Sequence, residues 1–383
     1  MTSHTHTPSS EGQLRPRLSK ITMVAMTFAI LNTWICLAGS LSLVLPSGGS
    51  VAFLYGFIFC VLCNFCLAAS LGELAAIWPT AGGQYHFQWA LTSEKWRKVM
   101  SFAVGYINIF GWLTLVTTEG FFAAQFISAA CVVASDGTYT VAAWKTYLIF
   151  MVVLTFGTLS MTFGNRILGA WNNLALYWSI LSVFVASVVL LSTSDKTDPE
   201  FVFATFQNET GWNDGIAWIL GLLQSALSLI GYDAVLHMTE EMPTPSRDAP
   251  LAMVYAVGVG GTTGTIFILD RQGNDTTWKF GKVRGLIINY IAVLYVFITS
   301  IFFCFPPVLP VTASLMNYVS AVIGIFAIFL IGYWVLYGKK TFQGPELDII
   351  LGERFDLSEA TDELAMEEKN IATRKQEVDG NGE

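Results

Sequence analysis

Two ionisable side chains lie one helical turn apart at the end of an apolar stretch. Asp233 and His237 occur in SLIGYDAVLHMTEEMPTPSRDAP (residues 228–250), and the chain is mainly apolar from Ile216 to that point. Residues four apart share one face of an α-helix, so this acid and base can pair. The pair is either a self-satisfied structural contact, a counter-charge for a cationic substrate, or a proton carrier, because histidine titrates near neutral pH.

Glu119 and Trp34 are the other side chains in apolar stretches whose chemistry suggests a role. A carboxyl group inside a membrane span is costly and points to function. Glu119 therefore either lines a pathway and carries protons, or bonds to a neighbouring helix. The face of Trp34 could receive an ammonium group, or the ring could serve packing alone.

Several other chemistries lack support in the sequence. Cys60, Cys63 and Cys66 have the C-x2-C-x2-C spacing of some cluster sites, but in an apolar helix we interpret them as packing residues. No nucleotide-binding loop, nucleophile elbow or set of metal ligands is present, so we expect no enzyme, no metal and no cofactor. The net charge of −8 gives no reason to expect nucleic-acid binding.

Composition indicates the elements that must hold these groups. The chain of 383 residues is 54% hydrophobic and 13% charged, about half the charge of a typical soluble domain. The apolar residues come in blocks long enough to cross a bilayer as helices. We predict an all-α polytopic membrane protein, embedded in lipid, with about nine spans: 21–45, 51–71, 99–134, 146–163, 168–191, 216–237, 249–269, 286–306 and 315–337.

Two polar tails flank this transmembrane domain of residues 21–337. Residues 1–20 contain no cleavable signal and are expected to be a disordered tail. Arg15, Arg17 and Lys20 place that tail in the cytosol by the positive-inside rule. Residues 338–383 form an acidic tail, with 12 acidic and 6 basic residues from Lys339 onward.

Charge along the loops agrees with this orientation only up to the seventh span. Asn208-Glu209-Thr210 is a glycosylation sequon and falls outside, as expected. The segment 271–285 then holds Arg271, Lys279, Lys282 and Arg284, which would also lie outside. Either the span 249–269 does not cross, or an odd number of helices is missing near residue 270.

Two spans have residues that favour an interruption. In the first span these are Asn32, Thr33, Gly39 and Ser40, before a turn at Pro46–Gly49; in the sixth they are Ser225, Ser228 and Gly231. Interrupted helices expose backbone groups that can bind a substrate within the membrane. Alternatively, glycine and serine mark close contacts between helices. The loop GELAAIWPTAGGQYHF (72–87) is either a re-entrant or interfacial segment or a simple turn.

The chain resembles the amino acid–polyamine–organocation superfamily of permeases, and within it the fungal amino acid/choline transporter branch. The resemblance rests on ILNTWICLAGSLSLVLPSGG, the loop 72–87, NRILGAWNN (165–173), GYDAVLHMTEEMPTPSRDAP (231–250) and the last two apolar segments. It implies an inverted-repeat fold of five plus five helices with two more appended. Helices one and six are broken around the substrate, and access alternates across the membrane.

The resemblance also implies which residues bind substrate. Thr33, Trp34, Ala38, Gly39 and Ser40 would form one wall, and Ser228, Gly231, Tyr232 and Asp233 the other. The substrate would be an amino acid or a small amine such as choline, γ-aminobutyrate or a polyamine. Transport would be coupled to protons, with Glu119, Asp233 and His237 as candidate carriers. The plasma membrane is the expected location, and the vacuolar membrane is the alternative.

The chain departs from the family pattern after its seventh span, which leads directly to what resembles helix eleven. Helices eight to ten are absent by this comparison, so the second repeat is incomplete. Three missing helices would also explain the conflict in loop charge. We therefore expect a truncated isoform or an incomplete gene model, which folds poorly or is inactive alone. The alternative function is a non-transporting, permease-derived membrane protein, such as a sensor or a dominant-negative partner.

Overall fold

The computed structural model describes residues 20–31, 33–164, 167–193, 199–262, 282–302, 304–305, 309 and 318–345. The predicted N-terminal tail up to residue 19, Asn32, the basic residues Arg271 and Lys279, and the acidic tail beyond residue 345 lie outside these ranges. Within them the regular elements are helices, and an isolated bridge between Ser47 and Asn208 is the β-type pairing.

The helices of the described residues are numbered here in chain order. They are α1 (Lys20–Leu31), α2 (Thr33–Val44), α3 (Gly49–Ile77), α4 (Gln84–Leu91), α5 (Glu94–Ala134), α6 (Ala143–Phe163), α7 (Leu168–Thr193), α8 (Pro199–Phe203), α9 (Asp214–Leu227), a 3₁₀ segment (Tyr232–Glu241), α10 (Pro245–Thr262), α11 (Lys282–Phe302), α12 (Val319–Tyr333), a π-helical turn (Trp334–Gly338) and α13 (Lys339–Thr341).

Six helical segments of the described chain are long and apolar enough to cross a membrane. They are Ile21–Val44, Gly49–Ile77, Glu94–Ala134, Ala143–Phe163, Asp214–Glu241 and Val319–Thr341. The chain is therefore an all-α, multi-pass membrane protein. The long third stretch is one helix of 41 residues, α5. Helices α7, α10 and α11 occupy three other predicted spans, and their crossing of the bilayer stays a prediction.

The buried core surrounds α3. This helix packs against α9, α10, α11 and the 3₁₀ segment. One buried cluster joins α1, α4, the 3₁₀ segment and α10 through Met23, Phe87, Leu236 and Met253. The core therefore lies where the first and sixth spans meet the loop 78–83.

The outer helices have the opposite character. The described side chains of α6 and α12 include no buried residue, and large apolar side chains such as Phe156 are exposed. In water such a surface would be unfavourable, whereas hydrocarbon chains are as apolar as these side chains. This exposure is consistent with helices that face lipid.

The two spans with predicted interruptions differ. In the first span, Gly39 and Ser40 lie inside α2, which is uninterrupted from Thr33 to Val44, so no break occurs at those two residues. The predicted turn after it is present, with Gly48 and Gly49 at positive φ. The sixth span is interrupted, because α9 ends at Leu227 and a 3₁₀ segment begins only at Tyr232.

Candidate functional site

The interruption of the sixth span changes its backbone hydrogen bonding. Leu229 N bonds to Ala226 O at 3.0 Å, whereas a continuing α-helix would direct it to Ser225 O. The hydroxyl of Ser228 donates to that Ser225 carbonyl at 2.7 Å. Gly231 then has φ +99°, a backbone conformation that side chains with a Cβ rarely adopt. The chain thus leaves the α-helix over Ser228–Gly231.

Close packing also requires a glycine at position 231. A Cβ built there would lie 2.9 Å from Ile30 Cγ2 and 3.5 Å from Leu115 Cδ2. Ile30 is near the end of α1, and Leu115 is on α5. The interruption is therefore enclosed by the first and third spans.

A chain of hydrogen bonds begins at Asp233, directly after the interruption. Gln84 Nε2 donates to Asp233 Oδ2 at 2.7 Å. Asn108 Nδ2 lies 3.4 Å from Gln84 Oε1 and 3.3 Å from His237 Nε2. His237 Nδ1 in turn lies 2.8 Å from the carbonyl oxygen of Ala81. Four side chains from α4, α5 and the 3₁₀ segment are thereby linked.

These contacts indicate which ring nitrogen of His237 carries the hydrogen. A carbonyl oxygen only accepts, so Nδ1 of His237 carries the hydrogen. In this tautomer Nε2 accepts from the Asn108 amide. The ring edge of Trp112 packs against it, with centroids 6.4 Å apart.

The structure links Asp233 and His237 through two amides, and the hydrogen bonds described for this region include none directly between them. The expectation of a pair on one α-helical face assumed 3.6 residues per turn. The segment is a 3₁₀ helix, in which residues three apart eclipse and residues four apart do not. Gln84 and Asn108 therefore supply the connection.

The loop 72–87 forms the inner boundary of this network. Helix α3 continues to Ile77, a turn follows, and α4 begins at Gln84, so the segment is a turn followed by a short helix. Gly83 has φ +54°, and a Cβ there would lie 3.2 Å from Leu236 Cβ. The turn is thus pressed against the 3₁₀ segment.

Two titratable groups of α4 have perturbed environments. Burial lowers the pKa of His86, whose ring nitrogen bonds to the Thr80 hydroxyl. Burial, assisted by the nearby Glu240 carboxylate, raises the pKa of Tyr85. Both groups are therefore neutral at pH 7.

A cavity of about 480 Å³ adjoins Asp233, a volume in the range of small-molecule sites. It extends along one face of α3, reaches the sixth-span interruption, and is closed on another side by α11. Its polar lining residues are Asn64, Ser70, Gln84, Tyr232, Asp233, Tyr295 and Thr299, and its apolar ones include Leu67, Leu71, Leu74 and Val296. Asn64 Nδ2 lies 3.3 Å from the Tyr295 hydroxyl.

Three of the four predicted sixth-span residues line this cavity: Gly231, Tyr232 and Asp233. Ser228 is fully buried behind it. The first-span residues Thr33, Trp34, Ala38, Gly39 and Ser40 are not among its lining residues. Their role in binding stays a prediction.

Each of those first-span residues has another environment. Trp34 Nε1 donates to Ser179 Oγ on α7 at 2.8 Å. Gly39 packs under the Phe122 ring, and Ser40 Oγ donates to Cys36 O in its own helix. Thr33 is buried against Gly260, and Ala38 is exposed. This half of α2 therefore makes contacts typical of helix packing.

Glu119 bonds to a neighbouring helix. The thiol of Cys36 donates to Glu119 Oε1 at 2.9 Å, so this carboxyl group serves the contact between α2 and α5. Cys60 Sγ likewise lies 3.5 Å from Leu222 O on α9. In the described part of the chain, no group of three or more metal-type ligands occurs.

The predicted glycosylation residue takes part in a structured turn. Asn208 Nδ2 lies 2.7 Å from Trp212 O and 2.9 Å from Asp214 Oδ1. The Thr210 hydroxyl donates to Asn208 Oδ1. Glu209 N also bonds to Pro46 O, which joins this turn to the end of the first span. Glycosylation of Asn208 stays a prediction.

Sequence reasoning missed Gln84, Asn108, Asn64 and Tyr295. A weak signal existed for two of them, because Asn64 and Asn108 are amides inside otherwise apolar stretches. Gln84 looked like an ordinary loop residue, since its partner Asp233 is 149 residues away. Only the folded chain brings the two together.

An intramembrane carboxylate beside an interrupted helix, facing a cavity, is the organisation of a secondary transporter site. The comparison with known sequences agrees with this class. A family model described as amino acid permease matches residues 21–270, and the chain belongs to that family.

Curated relatives have transporter names. The chain is 32% identical over 248 residues to a Macrophomina phaseolina protein provisionally named an amino acid/polyamine transporter, covering 64% of this chain and 54% of the relative. It is 30% identical over 263 residues to the choline transporter of Saccharomyces cerevisiae, covering 68% and 46%. It is 26% identical over 265 residues to the amino-acid permease BAT1 of Arabidopsis thaliana, covering 67% and 51%.

The alignments with these relatives span about half of each relative's length. No solved structure matches the chain.

Proposed function

We propose that this protein is a secondary transporter of amino acids or related small amines, in which Asp233 is the counter-charge for the substrate amine. One observation carries the proposal: Asp233 lies at the interruption of a membrane span and faces a cavity of about 480 Å³. A carboxylate held there is costly without a cationic partner. Permease-family membership and the names of the relatives support the same substrate class.

Protons are the proposed coupling ion. Asp233 and His237 are linked by uncharged amides, and acidic and histidine side chains are the groups that form proton relays in membrane transporters. Glu119 is the third candidate, although its described thiol contact lies outside the cavity lining. Alternating access would require the sixth span and the turn before α4 to move relative to each other.

The proposed location is the plasma membrane, with the N-terminus in the cytosol and the vacuolar membrane as the alternative. In this orientation the turn before α4 is cytosolic, and the bridge between Ser47 and Asn208 lies at the outer surface.

Uptake measurements test the proposal. The 383-residue chain is expressed in a host that lacks amine and amino acid uptake, and accumulation of labelled γ-aminobutyrate, choline, putrescine and neutral amino acids is measured at several pH values. Accumulation that a protonophore abolishes and Asp233→Asn removes supports a proton-coupled carrier. Accumulation unaffected by Asp233→Asn rejects the counter-charge role.

A second candidate is a permease-derived membrane protein that does not transport. It is favoured by the family match, which ends at residue 270, and by the departure from the family pattern after the seventh span, where the sequence has no counterpart of helices eight to ten. Ligand binding to the purified chain without any uptake in the host would support this candidate. Uptake by the same chain would reject it.

A further inference from the structure

The carboxylate of Asp233 already has a hydrogen-bond donor from the protein. Gln84 Nε2 lies 2.7 Å from Asp233 Oδ2, and both side chains line the cavity. An amide N–H makes the same directional contact with a carboxylate that a primary ammonium makes, but without the positive charge. The protein thus supplies the donor that a bound amine would bring.

Gln84 lies where its hydrogen bond to Asp233 can link α4 to the sixth span. Gln84 is the first residue of α4, and it follows Gly83, which packs on Leu236 of the 3₁₀ segment. Its amide oxygen also accepts from Asn108. The bond between Gln84 and Asp233 therefore ties the turn before α4 to the sixth span.

We propose that the Gln84 amide is an internal stand-in for a substrate ammonium group, and that a primary amine entering the cavity displaces it from Asp233. This inference rests on the proposed function and adds two statements to it. Displacement breaks the Gln84 bond, one of the contacts that tie the segment 78–91 to the sixth span. Gln84 is a competitor of the substrate and not one of its ligands.

The contact also defines the substrate class. An ammonium group replaces the lost hydrogen bond and adds charge–charge attraction, so it can displace a neutral amide. A quaternary ammonium group has no N–H and cannot replace the bond that it breaks. Trp34, the aromatic residue that could have received such a group, is not a lining residue, and its indole N–H is bonded to Ser179. We therefore expect a primary amine with an apolar body, which matches the leucine-rich wall of α3.

Equilibrium binding to the purified full chain tests the inference. The probes are γ-aminobutyrate and its N-trimethylated counterpart, which differ only at the nitrogen. The variants are Gln84→Leu and, as the matched control, Gln88→Leu on the same short helix. Gln88 Nε2 donates to Thr92 Oγ1 at 2.7 Å and is not a cavity residue.

Removing a competitor strengthens binding, whereas removing a structural support weakens it. We expect Gln84→Leu to bind γ-aminobutyrate about threefold to tenfold more tightly than the wild type, with Gln88→Leu unchanged. We expect the trimethylated probe to bind the wild type at least tenfold more weakly than the primary amine. Weaker binding of γ-aminobutyrate to Gln84→Leu, or equal binding of the two probes to the wild type, overturns the inference and leaves the proposed function standing.

Hydrogen exchange supplies the second readout. In the wild type, γ-aminobutyrate is expected to accelerate amide exchange in residues 78–91. In ligand-free Gln84→Leu, exchange there is expected to be fast already and unchanged by the probe. Protection of residues 78–91 on binding to the wild type overturns the displacement. Failure of both proteins to bind either probe rejects the proposed function together with the inference.

Discussion

The first and sixth spans contain similar residues but use them differently. Each has glycine and serine near its middle, Gly39 and Ser40 in one and Ser228 and Gly231 in the other. Helix α2 runs without interruption through its pair, whereas α9 ends before its own. The difference shows that these residue types permit an interruption without specifying one.

Glycine has a different physical role at each position. Gly39 has no positive φ, and a Cβ there would lie 3.0 to 3.2 Å from atoms of the Phe122 ring. Because Gly39 has no side chain, α2 and α5 can approach each other closely, as is common between membrane helices. Gly231 combines tight packing with φ +99°, so both the contact and the backbone exclude a side chain. Only this second combination occurs where a helix is interrupted.

The backbone explains why the cavity adjoins the sixth span. Where α9 ends, carbonyl groups lose their intrahelical partners, and the 3₁₀ segment redirects Asp233 toward Gln84 and the cavity. Within α2 every such group is used by the helix, and Ser40 returns its hydroxyl to Cys36 O. An uninterrupted helix offers a substrate only side chains.

The largest expected effect comes from adding one methyl group at each glycine. Gly231→Ala should destabilise the protein by about 3 kcal/mol, because a positive φ is strained for alanine and Ile30 must move. Gly39→Ala should change stability by about 1 kcal/mol or less, since helix propensity favours alanine there and offsets the shift of the Phe122 ring. Thermal unfolding of the detergent-purified proteins measures both.

If the two alanine variants unfolded at the same temperature, the different roles of Gly39 and Gly231 would be contradicted. A large loss for Gly39→Ala alone would mean that the contact between α2 and α5, and not the sixth-span interruption, limits stability.

The two intramembrane carboxyl groups offer the next contrast. Asp233→Asn should lower amine affinity about a hundredfold, or about 2.7 kcal/mol, because it removes a charge from a dry site. Glu119→Gln should leave affinity within about threefold, since the thiol of Cys36 donates equally well to an amide oxygen. Equilibrium binding of γ-aminobutyrate to each purified variant separates the two, and equal losses would place Glu119 in the binding site.

Much of the fold could be predicted from sequence, but only part of the site. Long apolar stretches specify membrane helices through length and composition alone, and Ser225, Ser228 and Gly231 indicated the interruption. The geometry around His237 could not be predicted, because an α-helical period was assumed where the segment is a 3₁₀ helix. Gln84 and Asn108 join the site through contacts with residues 149 and 129 positions away. No local pattern carries that information.

Removing the hydroxyl of each serine gives a smaller contrast. Ser228→Ala should cost about 1 kcal/mol of stability, because the Ser225 carbonyl loses its hydroxyl donor where the helix ends. Ser40→Ala should cost about 0.5 kcal/mol or less, since Cys36 O keeps its bond within α2. Thermal unfolding again measures the difference. A greater loss for Ser40→Ala would show that α2 is less regular than its helical bonding indicates.

The smallest expected effect on amine affinity concerns Trp34. Trp34→Phe keeps an aromatic face and removes the indole donor, and the matched variant Ser179→Ala removes the hydroxyl oxygen that accepts from it. Both should lose about 1 kcal/mol of stability, with amine affinity unchanged within about twofold, because neither residue lines the cavity. Binding and unfolding measured on the same samples separate the two quantities. If Trp34→Phe lowered affinity tenfold while Ser179→Ala did not, the indole would contact the substrate directly. The first span would then form a wall of the site, as the family resemblance implies, and the contrast between the two spans would apply only to the ligand-free arrangement.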